Sequence, residues 1–537
     1  MRHGLRGTAL AILVVIVAGA LAAPAASVAA SPPTPSARLL VPNRTIRIDR
    51  AAGDPAWIDL GVYVASYHQT VEVRARREHY DRPIEVVVTR TSAGQVARSV
   101  LSATAMPDWT GLAGFATVTL LDTAGKTVAT KSITFCPNAG DKQRLGLSGP
   151  QVPLYPDSCG WTLLARGLVM GIESGWAVSL GAQFSADIAD GSYTARVRLD
   201  PAMARAFGFR ATSTTLTVMV TSQAPTPTPI PDPSSAPTPD PTASATPGPS
   251  PTPGPSPTPG PSPSTSASPS PSPSPSASAS PQPTTTPDSP TPPPVPHASP
   301  PAATLPDLVA LPAYGISVFH DDQTGLDLLS FGADVWNAGP SPLVVEGFRR
   351  SGAAIMDAYQ VFYAAGRPAG AVRIGTIAYH AGGGHDHWHF RDFARYDLTD
   401  ATRTRVQTSG KESWCLAPTD AIDLTVPGAD WHAALLGLHT SCGGPSALWI
   451  RETLPVGWGD TYTQFLSGQA FDISAVPNGT YYIKVTVNPN GRLLETRRSN
   501  DVSYRRIVLG GDPGARTVTV PPYRGIDTEG AAGPPLG

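Results

Sequence analysis

Hydrophobic and polar residues alternate with a period of two in several stretches of the chain, and other stretches are rich in β-branched residues. The stretches are Pro83–Val88, Ala116–Leu120, Tyr193–Leu199, Leu216–Val220, Leu329–Asn337 and Tyr481–Val487. Alternate side chains of a β-strand point to opposite faces, so this pattern predicts strands with one buried face. Gly, Pro, Asp and Asn separate the stretches, which favours antiparallel sandwiches. The pair Asp190-Gly191, just before one stretch, also predicts a hairpin turn.

A segment of very low complexity divides the chain. Residues 223–303 are almost entirely Pro, Ser, Thr and Ala, with no Lys, Arg or aromatic residue. Such a segment buries too little apolar surface to offset the entropy of ordering. Its prolines favour an extended conformation that rises about 3.1 Å per residue. We therefore predict a long disordered linker, which is either a stalk through a cell wall or surface glycan layer or an inert spacer.

The predicted fold class is all-β, with two β-sandwich-like domains joined by this linker. A signal peptide occupies residues 1–30, a β-rich domain of unknown function residues 37–222, and the linker residues 223–303. A second β domain follows at residues 304–510, and residues 511–537 form a flexible Gly- and Pro-rich tail. A chain of 537 residues is long enough for two domains that each bury a core.

The N-terminus has the features of a secretory signal. Arg2 and Arg6 precede the apolar run Thr8–Ala23, and small residues follow it. The run is short for a membrane-spanning helix, so we expect cleavage and a secreted or cell-surface protein with no stable membrane span. An uncleaved N-terminal anchor is the alternative.

Charge and cysteine content narrow the function further. The 39 basic and 41 acidic residues leave a net charge of −2, so we expect no nucleic-acid partner. The cysteines fall two in each domain, Cys136 with Cys159 and Cys415 with Cys442. Even numbers in an exported chain predict one disulfide bond per domain. A thiolate metal site is the alternative, but the spacings contain no C-x-x-C pair.

Histidines are concentrated in one short segment of the second domain. His385, His387 and His389 alternate, and His380 precedes them across a run of glycines. On a strand, the three alternating imidazoles share one face and suit a copper or zinc ion. A flat strand would hold the outer two α-carbons about 13 Å apart, so the strand must curve, which the glycines allow. The alternatives are a strand whose histidines face water and a structural zinc site, with His380 either a fourth ligand or a neighbour.

The N-terminal domain has no comparable cluster. His68 and His79 stand apart along the sequence, and we interpret them as surface or structural residues. The function expected of this domain is therefore binding or spacing.

Three pieces of the second domain resemble the lysyl oxidase family, in particular its shorter bacterial members. They are the histidine segment with the following Phe393–Leu398, the run Lys411–Leu416, and Gly457–Tyr462 with the following Phe471–Ile473 and Asn478–Pro489. The order and spacing of the pieces are specific, whereas each piece alone is weak. The resemblance extends over about residues 305–509 and leaves out the N-terminal domain and the linker.

The resemblance implies a copper-dependent amine oxidase that acts on primary amines, among them lysyl side chains. The alternating histidines fall on the family's copper(II) ligands, while Lys411 and Tyr462 fall on the residues that become lysine tyrosylquinone. In that family the quinone oxidises primary amines to aldehydes, with release of hydrogen peroxide and ammonia. The lysine must attack as a neutral amine, which burial near a metal favours.

Asp460 is the candidate base that removes the α-proton of the substrate, since it lies two residues before Tyr462. The alternative is a turn residue that binds backbone amides. The chain departs from the animal enzymes in having only Cys415 and Cys442 where those enzymes have several disulfide bonds. Two other functions stay open: a non-catalytic copper- or zinc-binding protein, and a cell-surface binding or adhesion module.

Overall fold

The structure of the protein is a computed structural model. It describes residues 36–138, 140–147, 149–160, 164–223, 300–350, 352–364, 366–381, 386–411, 413–433 and 442–526. The predicted signal peptide and nearly all of the predicted linker lie outside these residues, and so does His385.

The N-terminal domain is built almost entirely of strands. In its described residues they are β1 Ser36–Leu40, β2 Thr45–Ala51, β3 Ala56–Asp59, β4 Tyr63–Tyr67, β5 Thr70–Arg76, β6 Glu85–Ser92, β7 Gln95–Val100, β8 Leu112–Leu121, β9 Thr127–Phe135, β10 Gln143–Arg144, β11 Gly167–Ile172, β12 Trp176–Ser179, β13 Gln183–Ala186, β14 Gly191–Leu199 and β15 Ser213–Gln223. The sheets have the orders β1-β4-β12-β10, β11-β5-β6-β7, β13-β3 and β2-β15-β14-β8-β9. The pair β2–β15 is parallel, and the other pairs of this domain are antiparallel.

A short helix, α1, which the strand pattern does not predict, spans Pro201–Phe207. The Asp200 carboxylate caps it by accepting hydrogen bonds from backbone N–H groups of the first turn, and Gly208 ends it at a φ of 76°. Proline at the first helical position and glycine after the last are the sequence signal that locates it. No helix in the described part of the chain is long and apolar enough to cross a membrane.

The C-terminal domain begins with a 3-10 turn at Ala302–Thr304. Its strands in the described residues are β16 Leu308–Ala310, β17 Tyr314–Asp321, β18 Leu326–Asn337, β19 Leu343–Phe348, β20 Ile355–Ala364, β21 Arg367–His380, β22 His387–Arg391, β23 Ala394–Thr399, β24 Arg405–Thr408, β25 Ser413–Trp414, β26 Asp420–Ala421, β27 Trp449–Leu454, β28 Trp458–Tyr462, β29 Ala470–Asp472, β30 Gly479–Val487, β31 Val502–Asp512 and β32 Ala515–Thr519. The sheet orders are β16-β18-β28-β26, with β17 and β29 also on β18, then β25-β22-β21-β20-β19-β27 and β24-β23-β30-β31-β32.

The sheet from β25 to β27 curves so that its two edges approach each other. Leu416, just after β25, donates its backbone N–H to the carboxyl of Glu452 in β27, over 3.1 Å. The main core of buried side chains in the domain includes Phe331, Trp388 and Trp414. The predicted histidine strand and the Lys411 segment therefore belong to one curved sheet around one core.

The all-β prediction is confirmed, and each predicted stretch overlaps a strand. Both predicted disulfide bonds, Cys136–Cys159 and Cys415–Cys442, are present. The predicted hairpin at Asp190-Gly191 is wrong, because β13 pairs with β3 while β14 pairs with β8 and β15. Asp190 instead accepts a hydrogen bond from the backbone N–H of Ser222.

The expected flexible tail is not found in its first part. Strand β31 continues to Asp512 and β32 pairs with it, because the chain turns back through two glycines at positive φ, Gly511 and Gly514. Ile526 is buried in an apolar cluster with Trp336. Residues 527–537 lie outside the described residues.

Candidate active site

Lys411 and Tyr462 lie side by side inside the C-terminal domain. Lys411 Nζ is 4.3 Å from the centre of the Tyr462 ring. Each residue is only 7% exposed. Lys411 lies just before β25, and Tyr462 ends β28, where it pairs with Ala333 of β18. The fold therefore brings together a side chain that precedes β25 of one sheet and a side chain of β28 in another sheet.

The Tyr462 side chain is held on two sides. Its hydroxyl accepts a hydrogen bond from the backbone N–H of Cys415 over 3.0 Å. Its ring packs against that of Trp414, with 4.3 Å between the ring centres. Burial raises the pKa of the phenol well above its usual range, and Asp460 adds to this effect. The phenol is therefore a neutral, fixed ring rather than a phenolate.

Burial has the opposite effect on the neighbouring amine. It lowers the pKa of Lys411 to about 8, since the charged form loses solvent, while Asp460 acts to raise it. An amine with this pKa is partly neutral near neutral pH, so its lone pair is available. A surface lysine at the ordinary pKa of about 10.4 would be almost fully protonated.

Asp460 shares one face of β28 with Tyr462, because the two are separated by a single residue on a strand. It is 2% exposed, and the backbone N–H of Ala417 donates to its carboxyl. Burial raises the pKa of Asp460 well above its usual range, Asp334 raises it further, and Lys411 acts to lower it. Burial thus favours the protonated carboxyl, whereas Lys411 favours the carboxylate, which is the form that can accept a proton.

Glu452 is a member of the site that sequence reasoning missed. It is fully buried, and burial raises the pKa of its carboxyl well above the usual range. It accepts the N–H of Leu416, the residue after the one that donates to Tyr462. The backbone N–H groups of Cys415 and Leu416 thus bind Tyr462 and Glu452, respectively. Glu452 therefore holds the segment that orients the Tyr462 hydroxyl. No residue spacing marks it, because the pattern of β27 does not distinguish Glu452 from a solvent-facing acid.

Two of the predicted metal ligands lie on strand β22. The ring centres of His387 and His389 are 4.5 Å apart, and His389 is 2% exposed. His380, opposite His387 in the neighbouring strand, brings its ring centre to 4.7 Å from that of His389. His385 lies outside the described residues, and among those described no set of three His, Cys, Asp or Glu groups is arranged to hold an ion. The adjoining imidazoles nevertheless fit copper, since neutral ring nitrogens are among its preferred donors.

The histidine strand adjoins the Lys411 segment in the sheet. Phe390 and Arg391 of β22 pair with Trp414 and Ser413 of β25. His389 is thus next to a residue that pairs with Trp414, whose ring contacts Tyr462. Imidazoles, amine and phenol therefore belong to one continuous region. By contrast, His68 of the N-terminal domain is exposed and His79 is half-buried beside Glu78.

Comparison with known proteins points to one family for this region. The lysyl oxidase family profile matches residues 367–513. Protein-lysine 6-oxidase of Sus scrofa is 33% identical over 144 residues, which are 26% of this chain and 51% of that protein. The Rattus norvegicus protein-lysine 6-oxidase has the same identity over 26% of this chain and 31% of its own. Lysyl oxidase homolog 2 of Gallus gallus is 30% identical over 119 residues, 22% of this chain and 13% of that protein.

The matched region spans about half of the first of these relatives and less than a third of the other two. It contains Lys411, Asp460, Tyr462 and the histidine segment, and it excludes the N-terminal domain. A lysyl oxidase family domain therefore occupies residues 367–513 of this chain.

Proposed function

We propose that the protein is a secreted, copper-dependent amine oxidase of the lysyl oxidase type. One primary amine, one dioxygen and one water would give one aldehyde, one ammonia and one hydrogen peroxide. The observation that carries the proposal is the 4.3 Å separation of the Lys411 amine and the Tyr462 ring in a buried site. Ordinary side chains offer no electrophilic carbonyl to an amine, so this chemistry requires a built-in cofactor made from such a pair.

Copper(II) is proposed to bind His385, His387 and His389, with His380 close by. When bound, it would supply the redox chemistry with dioxygen that oxidises the Tyr462 ring to a quinone. The adjoining rings of His387 and His389 support this assignment. So does the pairing of their strand with β25, beside Lys411.

The remaining steps depend on residues of the chain itself. Lys411, with its pKa lowered to about 8, has a neutral amine available for a bond from Nζ to the oxidised ring. The N–H of Cys415 holds the Tyr462 hydroxyl and so orients the ring. Asp460 would accept the α-proton of the substrate, since its carboxyl lies on the same strand face as Tyr462. The joined pair would be lysine tyrosylquinone.

Export is part of the proposal. The charged start and apolar run of the first thirty residues support a secretory signal. Two disulfide bonds, one per domain, are also typical of an oxidising compartment. The substrate class proposed is primary amines, with lysyl side chains of proteins among them.

The test is peroxide release from a panel of primary amines by copper-loaded protein. Wild type should release peroxide, and so should the control Lys484→Ala, which changes β30 away from the site. Lys411→Ala should release no peroxide although its copper content is unchanged. Equal release by wild type and Lys411→Ala would contradict the proposal. Copper-loaded wild type that oxidises no amine would leave the non-catalytic metal-binding function standing.

A further inference from the structure

The two domains are joined by backbone pairing at the edge of an N-terminal sheet. Gly167 opens the edge strand β11 and bridges Asp423 of the C-terminal domain. Its N–H donates to the carbonyl of Ile422 over 3.1 Å, and its carbonyl accepts the N–H of Leu424 over 2.9 Å. The start of an edge strand, whose backbone groups would otherwise be unpaired, is thus covered by the other domain.

The contact is close because Gly167 has no side chain. A β-carbon at this position would overlap the Asp423 carboxylate and come within 2.8 Å of Thr425 Oγ1. Asp423 is 1% exposed and forms an ion pair with Arg76 of β5, over 3.4 Å. The glycine therefore allows the approach, and the arginine supplies the charge that a buried carboxylate needs.

A second contact lies beside the first. The rings of Tyr155 and Trp431 stack with 5.5 Å between centres and 20° between planes. His432 Nε2 lies 2.9 Å from the carbonyl oxygen of Leu154. Stacking and hydrogen bonding thus add to the backbone bridge, so residues 422–432 form one docking segment for the N-terminal domain.

The other side of this docking segment holds the strand of the candidate active site. Just before it, Ala421 of β26 pairs with Trp458 of β28. The N–H groups of Ile422 and Asp423 both donate to the carbonyl of Gly457, over 2.9 and 3.0 Å. Strand β28 continues from there to Tyr462. One short segment is therefore fixed by the N-terminal domain on one side and fixes the tyrosine strand on the other.

We propose that the N-terminal domain is a positioning module for the candidate active site: docked through Gly167 and Asp423, it holds β26 against β28 and so keeps Tyr462 within reach of Lys411. The proposal rests on the proposed function, since it concerns formation of the Lys411–Tyr462 cross-link. It assigns to the N-terminal domain a role other than binding or spacing. Arg76 and Gly167 are positioning residues, because neither contacts the reacting groups.

Two pairs of full-length variants test the proposal. Gly167→Ala adds the clashing methyl group, and its control Gly146→Ala adds one where nothing lies within 4 Å. Arg76→Glu, on an exposed side chain, places a second carboxylate against Asp423, and its control Arg98→Glu makes the same change on exposed β7. Domain separation is measured by small-angle X-ray scattering, and the cross-linked peptide by mass spectrometry of folded, copper-loaded protein.

We expect Gly167→Ala and Arg76→Glu to separate the domains and lower the cross-linked fraction about tenfold or more, because a misplacement on the order of 1 Å can cost a hundredfold in rate. The controls should match wild type, and the melting of the C-terminal domain should not change. Separated domains with a normal cross-linked fraction would overturn the inference alone. Domains that stay docked in both variants would overturn it too, whereas wild type without a cross-link would overturn the proposed function.

Discussion

Lys411 Nζ lies 4.3 Å from the centre of the Tyr462 ring, in a part of the core where both residues are 7% exposed. The amine is beside the ring, while a backbone N–H holds the hydroxyl at the ring's edge. Burial lowers the pKa of the amine and raises that of the phenol, so both are driven toward their neutral forms. A neutral amine next to a fixed ring is the geometry that a bond between them requires.

The first prediction concerns the pH dependence of cross-linking. Only neutral Lys411 can attack, and its pKa is lowered to about 8. The rate of cross-link formation in copper-loaded protein should therefore rise about tenfold per pH unit below pH 8 and level off above it. Mass spectrometry of samples matured at a series of pH values measures this rate. A rate still rising steeply beyond pH 9 would contradict the lowered pKa.

A second prediction separates formation of the cofactor from its use. Asp460→Asn removes the proposed base, so kcat for amine oxidation should fall about a hundredfold or more. The cross-link should still form, because the Asp460 charge raises the pKa of Lys411 and its removal favours the neutral amine. The midpoint of the pH profile for cross-linking should accordingly move below that of wild type. Loss of the cross-link itself would show that Asp460 acts before catalysis.

Glu452 gives a prediction about stability. The Glu452→Gln side chain can still accept the N–H of Leu416. Glu452→Leu leaves that buried donor unpaired, which should lower the free energy of unfolding by about 1–3 kcal/mol. The folded-state pKa of Glu452 is raised, so its contribution to stability is full below the unfolded pKa and is lost as pH rises. The free energy of unfolding of Glu452→Gln, measured with urea, should therefore rise relative to that of wild type between pH 5 and pH 8. A difference that is constant with pH would contradict the raised pKa.

The histidines give a prediction about metal binding. His387→Ala and His389→Ala should each lose bound copper and, with it, the cross-link, while His79→Ala in the N-terminal domain should keep both. Metal content by mass spectrometry and the cross-linked peptide are the measurements. His380→Ala distinguishes a fourth ligand, whose loss weakens copper binding, from a neighbour, whose loss does not. Full copper content in His389→Ala would remove this residue from the proposed site.

The strands could be predicted because a period of two is a local signal that one buried face imposes on each strand. The resemblance to a family singled out Lys411 and Tyr462, and the structure places them in contact, although their roles stay predictions. The all-β fold and both disulfide bonds are confirmed.

Other features depend on tertiary contacts that leave no local pattern. In the sequence, Glu452 is indistinguishable from an ordinary polar strand residue. Only the curved sheet of the folded domain buries it. Gly167 matters structurally because another domain of the chain approaches its backbone. No local sequence pattern marks that approach. The docked N-terminal domain could not be predicted for this reason, and neither could the paired strand that replaces the expected loose tail.

The most direct measurement of the central claim is the mass of the peptides that carry Lys411 and Tyr462 in fully copper-loaded, full-length protein. We predict one joined peptide in wild type, with the tyrosine ring oxidised, and two separate peptides in Lys411→Ala. Separate and unmodified peptides in the copper-loaded wild type would contradict the claim.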